Sequence, residues 1–142
     1  MKIAKNLYLV LMVTWPLAEA SALATDDMEA LKRTSTFALG QVGFISHISE
    51  SEQRYRRLLQ APAALDLFTQ LVGDTSATNE ARLYAACAIR TLDAKRFEQL
   101  THTLRASGGD VSILRSDILQ RESIQDQLQR IAQHGCADAY WR

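Results

Sequence analysis

The sequence predicts an all-α domain: a compact bundle of about five to six short antiparallel helices, with the rhythm of HEAT-like hairpins. Three observations carry that expectation. Apolar residues recur at three- and four-residue steps along most of the chain, the period of a helix face rather than a strand. Helix-capping side chains stand before these stripes and glycines stand after them. The resulting segments run for roughly 10–14 residues with turns of about 2–6 between them, the spacing of helical hairpins. No repeated signature accompanies the rhythm, so an irregular bundle is the working description. With 47% of its 142 residues hydrophobic and 23% charged, the chain has enough apolar material for a core and too much to stay disordered.

The first two dozen residues read as an export signal. Lys2 and Lys5 precede an apolar run from Leu7 to Val13, and small residues follow at Ala18-Glu19-Ala20 and Ala22-Leu23-Ala24. That order is the three-part secretory pattern, and the polar start Thr25-Asp26-Asp27 favours cleavage after Ala24. The expected division is a cleaved signal peptide over 1–24 and a single helical domain over 25–142. The apolar run is roughly 12 residues, short of the about 20 that span a bilayer, so no stable membrane insertion is expected after processing. No cysteine adjoins the cleavage site to carry a lipid anchor. The expected location is therefore the periplasm or the exterior. Cleavage would also remove Lys2, Lys5 and Glu19, turning 16 basic against 16 acidic residues into 14 against 15. A near-neutral, exported chain is a poor partner for nucleic acid.

The elements follow in order. Met28, Leu31, Ser35, Ala38 and Leu39 give a first helix over about 27–39. Gly40 and Gly43 interrupt it, and 40–46 reads as a helix continuation, a glycine-rich packing segment or a short extended piece, with close packing of a helix or backbone against the glycines as the default. This stretch has no Gly-Lys-Ser/Thr ending, so it is not a phosphate loop. Ser49-x-x-Glu52 is a capping box, in which the glutamate reaches back to the serine, and it opens a second helix with Tyr55, Leu58 and Leu59 on one face. Pro62 either ends that helix or begins the next, whose stripe is Leu65, Phe68, Leu71 and Val72 before Gly73. Thr78 or Asn79 caps a helix over about 79–91 that is apolar nearly all round, the expected central helix. Asp93 caps a fifth over about 94–106, with Phe97, Leu100 and Leu104 inward. Residues 110–120 fit neither period and are expected to be a short helix or irregular. Ile124, Leu128 and Ile131 mark a last helix over about 121–134. The tail with Tyr140 and Trp141 is expected to lie against the body.

Cys87 and Cys136 are the two cysteines. In an oxidising compartment an even pair reads as one disulfide, stapling the C-terminal tail to the central helix. Closing a loop of roughly 50 residues would stabilise the fold by about 4 kcal/mol in the chain-entropy model. The alternative is a buried thiol at Cys87 with Cys136 exposed.

The stretches Phe37-Ala-Leu-Gly-Gln-Val-Gly43 and Arg82-Leu-Tyr-Ala-Ala-Cys-Ala88 resemble small exported bacterial proteins of uncharacterised function, over residues 37–105. The resemblance implies a helical exported domain. It brings no catalytic residues to this chain.

Chemistry is sparse in the sequence. His47, His102 and His134 form no His-x-x-x-His pair, and His134-Gly-Cys136 is too little for a closed zinc site, so neither metal nor cofactor is expected. His102 falls about 140° from Phe97 around its helix, on the polar side. There is no Gly-x-Ser-x-Gly elbow. Asp26-Asp27, Glu50 and Glu52 sit at helix starts, where acids complement the dipole. Arg54, Tyr55, Arg56 and Arg57 are the candidate partner-binding cluster, since arginine and tyrosine recur at interface hot spots. The competing reading is a solvated face on which Glu50 and Glu52 pair with the arginines. These observations favour a non-catalytic protein-interaction module: a periplasmic accessory, inhibitor or immunity-type protein that binds another protein. The alternatives are a small-ligand carrier with an apolar cavity between helices, or a hydrolase whose site assembles only in space.

Overall fold

The computed structural model describes residues 17–137. Lys2, Lys5, the run Leu7–Val13, Tyr140 and Trp141, for which the sequence carries expectations, lie outside the described residues. In chain order the elements are α1 (Leu17–Lys32), β1 (Gln41–Val42), β2 (His47–Ile48), α2 (Glu50–Leu59), α3 (Ala64–Gly73) and α4 (Asn79–Leu92). A 3-10 turn at Ala94–Arg96 then leads into α5 (Phe97–Leu100), α6 (His102–Ser107), β3 (Asp110–Arg115), β4 (Ile118–Ser123) and α7 (Ile124–His134). Helices dominate, and two small antiparallel hairpins are added to them.

Helix α4 is the centre of the fold. The Thr78 hydroxyl accepts the N–H of Ala81 at 3.1 Å and so starts it. Every residue from Ala81 to Ile89 is buried, and the alanines among them let neighbours approach closely. α1, α3, α7 and β3 pack on it. The aromatic rings form a chain through this core: Phe37 lies 4.5 Å from Tyr84, Tyr84 5.3 Å from Tyr55, and Tyr55 5.8 Å from Phe68. Arg82 is buried too, and its Nε donates to the Val72 carbonyl at 2.9 Å, near the end of α3, where the helix leaves carbonyls open. Cys87 and Cys136 are disulfide-bonded with Cα atoms 5.6 Å apart, tying the residue just past α7 to the buried side of α4.

Several boundaries differ from the sequence expectation, each for a local reason. The first helix, for which the periodicity predicts 27–39, starts ten residues earlier at Leu17 and ends at Lys32. Thr34-Ser35-Thr36 offers the backbone other partners: the Thr78 hydroxyl donates to the Thr34 carbonyl at 2.6 Å. Phe37 then joins a strand, its N–H donating to Ser112 at 2.8 Å and its carbonyl accepting from Leu114 at 2.9 Å. Of the readings open for 40–46 the structure shows a short extended piece: Gly40 and Gly43, with φ of +77° and +76°, turn the chain before and after β1, and at Gly43 the His47 ring also packs so close that a Cβ would meet it at 3.1 Å. Pro62 neither ends α2 nor opens α3; it lies in the connection between them. The helix expected over 94–106 is interrupted at Thr101, whose hydroxyl donates back to the Phe97 carbonyl at 2.8 Å. Asp93 does cap its start, accepting the Arg96 N–H at 3.2 Å.

The largest correction concerns 110–123. Instead of a short helix or irregular segment it is a hairpin, and residues 121–123, expected in the last helix, complete β4. Ser116 and Asp117 make the two-residue turn, with Ser116 at φ +55°. Val111 and Ile113 alternate into the core, whereas Ile118 to Arg121 are all exposed. The last helix therefore begins at Ile124, capped by Ser123, and Gly135 (φ +68°) stops it.

Candidate functional site

Two hairpin tips adjoin at one end of the molecule. The Gly43 N–H donates to the Ser116 carbonyl at 2.7 Å, which joins the β1–β2 turn to the β3–β4 turn. Around this bond stand the most exposed large apolar side chains of the described residues: Phe44 at 101% relative exposure, Ile45 at 79%, Leu119 at 60% and Ile118 at 58%. Ordinary side-chain sizes make this about 500 Å² of apolar surface, well into the range of patches that mark interaction sites on monomers. A stable fold gains nothing from holding a phenylalanine fully in water.

The tips are held from below by buried polar groups. The Tyr84 hydroxyl donates to the Ala38 carbonyl at 2.6 Å and accepts the Ala38 N–H at 3.0 Å. Burial pushes the pKa of this phenol up to about 12, so it stays a neutral clamp. Two residues on, Glu52 Oε2 accepts the Gly40 N–H at 2.8 Å, while Oε1 accepts Arg56 Nη2 at 2.5 Å. The capping box is thus half realised: the Ser49 hydroxyl accepts the Glu52 N–H at 3.2 Å, but the glutamate carboxylate binds the Gly40 peptide. On the other hairpin, Arg115 pairs with Glu122 across the two strands, and Gln127 of α7 donates to Glu122 Oε2 at 2.6 Å. The Arg115 hydrogen bond holds the Glu122 carboxyl below its ordinary value.

The candidate cluster at Arg54, Tyr55, Arg56 and Arg57 does not form one surface. Tyr55 is buried in the aromatic chain, with 6% of its surface exposed. The arginines meet carboxylates of the chain itself: Arg54 with Glu50 at 3.1 Å, Arg56 with Glu52, and Arg57 in a two-pronged contact with Asp27 at 2.7 Å for each bond. Pairing with Glu50 and Glu52 follows the solvated-face reading. The Arg57–Asp27 bond ties α2 to α1 and depresses the Asp27 pKa. The cluster's arginines thus brace α2, and the exposed surface lies at the tips, where no charged motif marked it. Two adjacent apolar residues after a glycine, Phe44-Ile45, were the available sign.

A second feature is an apolar groove of about 660 Å³ between α1 and the α2–α3 connection, lined by Leu23, Ala24, Met28, Leu58, Pro62 and Leu67 with Arg57 and Asp27 also on its wall. Helix α1 runs unbroken through both candidate cleavage sites, and Ala20, Ser21, Leu23 and Ala24 form part of this wall. A smaller hollow of about 320 Å³ on α7, lined by Asp126, Gln129, Arg130, Gln133 and His134, is polar.

His47, His102 and His134 are all exposed, on β2, α6 and the end of α7. Among the described residues no three His, Cys, Asp or Glu side chains converge as a metal site requires, and no helix is long and apolar enough to cross a membrane. Comparison with protein-family models, with curated proteins and with solved structures finds nothing that matches this chain.

Proposed function

We propose that the chain is an exported, non-catalytic protein-interaction module that docks another protein through its paired hairpin tips. The observation that carries this reading is the exposure of Phe44 and Ile45 beside Ile118, at a point where Glu52 and Tyr84 fix the backbone from below. Apolar anchors on a rigid support are what a hot spot requires. The Cys87–Cys136 disulfide supports an oxidising compartment, in line with the signal-like N-terminus. In a periplasm the role is that of an accessory, an inhibitor or an immunity-type protein. The test is a photo-crosslinker placed at Phe44 in the native compartment. A single crosslinked protein, lost with Ile45→Ser, supports the reading; no crosslinked protein under any growth condition overturns it.

The groove supports a second reading, a carrier of a small apolar ligand. Its volume lies within the usual range for such sites. Cleavage after Ala24 would remove Ala20, Ser21, Leu23 and Ala24 from its wall and open the groove on that side. Native mass spectrometry of the exported chain tests this reading: a co-purified ligand on a chain still carrying residues 20–24 favours the carrier.

A further inference from the structure

Strand β4 has one open side, and its chemistry is complementary to itself. Residues directly opposite each other in an antiparallel ladder alternate between hydrogen-bonded and non-bonded pairs. On β3, the Ser112 carbonyl and the Leu114 N–H are engaged with Phe37 on the far side, so Ser112–Arg121 and Leu114–Leu119 are the non-bonded pairs of the hairpin. It follows that the peptide groups of Leu119 and Arg121 point away from β3, where among the described residues no strand pairs with them. Neither proline nor lysine guards this edge, and Ile118 to Arg121 are exposed throughout.

We infer that β4 pairs with β4 of a second copy of the chain, antiparallel and about a two-fold axis at Leu119. The charges select this register among those the ladder allows. Centred on Leu119, the two Leu119 residues exchange both peptide hydrogen bonds, and Asp117, the turn residue just before β4, comes within side-chain reach of Arg121 of the other copy. Centred on Arg121, like charges would be opposed. Centred on Gln120, each Leu119 would face an arginine. Because Leu114 and Leu119 are cross-strand neighbours, the Leu119 axis also lines up Leu114, Leu119, Leu119 and Leu114 in one row across a four-stranded sheet. Such an isologous contact closes on itself. The β1–β2 tip reaches the hairpin from the Phe37 side of β3, so Phe44 and Ile45 stay outside the pairing.

The experiment is sedimentation velocity on the disulfide-intact chain from micromolar to millimolar concentration. The expected result is a reversible monomer–dimer equilibrium. Leu119→Asp weakens it at least tenfold; Asp117→Arg and Arg121→Asp each weaken it severalfold; and the double charge swap restores it. Phe44→Ser leaves it unchanged, which separates this inference from the docking role of the tips. All these residues are exposed, and unchanged melting temperatures confirm intact folding. A monomer at every concentration, a dimer that survives Leu119→Asp, or a charge swap that fails to restore pairing overturns the proposal. So does a monomer that floats with phosphatidylcholine vesicles through Leu119, which would assign the edge to lipid.

Discussion

Glu52 grips Gly40: a carboxylate with 1% of its residue surface exposed accepts the Gly40 N–H at 2.8 Å and links α2 to the turn before β1. Gly40 has φ +77°, so the peptide group at this bend has no helical or strand partner and depends on the side chain. The bond therefore carries positional information from the rigid helix to the exposed tip. Glu52→Ala should cost about 2–3 kcal/mol, since it strands a buried donor and removes the partner of Arg56. Glu52→Gln retains an acceptor and should cost less. Urea unfolding gives the stability, and amide exchange across 40–48 should accelerate in the alanine variant while α4 stays protected. Equal protection in both variants would mean the tip is positioned by something else.

Tyr84 holds the neighbouring peptide, and its clamp is pH-dependent in a defined direction. Its phenol is raised to about 12, chiefly by burial, so the neutral form is favoured in the folded state. This contribution is complete below the ordinary value of 10 and is lost as pH rises toward 12. Tyr84→Phe should lower stability at neutral pH by about 1–3 kcal/mol because both Ala38 peptide groups lose their partner. The same variant should flatten the alkaline loss of stability, followed by circular dichroism between pH 9 and 12 in the range set by the phenol.

These two anchors show where the sequence was readable and where it was not. Ser49, Thr78, Asp93 and Gly135 act locally, within a few residues of the backbone groups they satisfy, so their roles could be read from spacing. Glu52 reads as a capping-box acid reaching back to Ser49, because its actual partner lies 12 residues back at the bend before β1. The hairpin at 110–123 was hidden for a related reason. β3 does alternate at Val111 and Ile113, but β4 is exposed on both faces and has no apolar period to reveal it. The strand role of Phe37 depends on Ser112 and Leu114, some 75 residues away, and no local propensity encodes it. The arginine cluster shows the same limit, because charge density in a sequence does not show which carboxylates lie near in space, here Asp27 above all.

The Asp27–Arg57 contact predicts an acid-limb effect. The Arg57 hydrogen bond is the main cause that keeps the Asp27 carboxyl below its ordinary 3.8, so the stabilisation is full above that value and disappears as pH falls through the depressed folded one. Arg57 is half exposed, which limits the contribution to about 1 kcal/mol. Asp27→Asn should therefore lower stability slightly at pH 7 and reduce the slope of stability against pH below about 4. A slope identical to that of the wild type would assign the acid sensitivity to other carboxyls, Glu122 first among them.

The disulfide closes a loop between residues 49 apart, and its removal should be the largest single loss of stability short of a core deletion. In the chain-entropy model the bond contributes about 4 kcal/mol, a large part of the net stability of a small domain. Cys136→Ser is the cleaner variant, since Cys136 is only half buried whereas Cys87 is fully enclosed in α4. It should lower the melting temperature by well over ten degrees, and reducing agent should bring the wild type to the same value. The loss should also be uneven. The residues past α7 lose their tether, while the packing of α3 on α4 needs no part of it. Amide exchange should therefore rise first at the C-terminal end of α7 and last in Ala81–Ile89. A melting temperature indifferent to reductant would show that the α4–α7 packing alone holds the C-terminus.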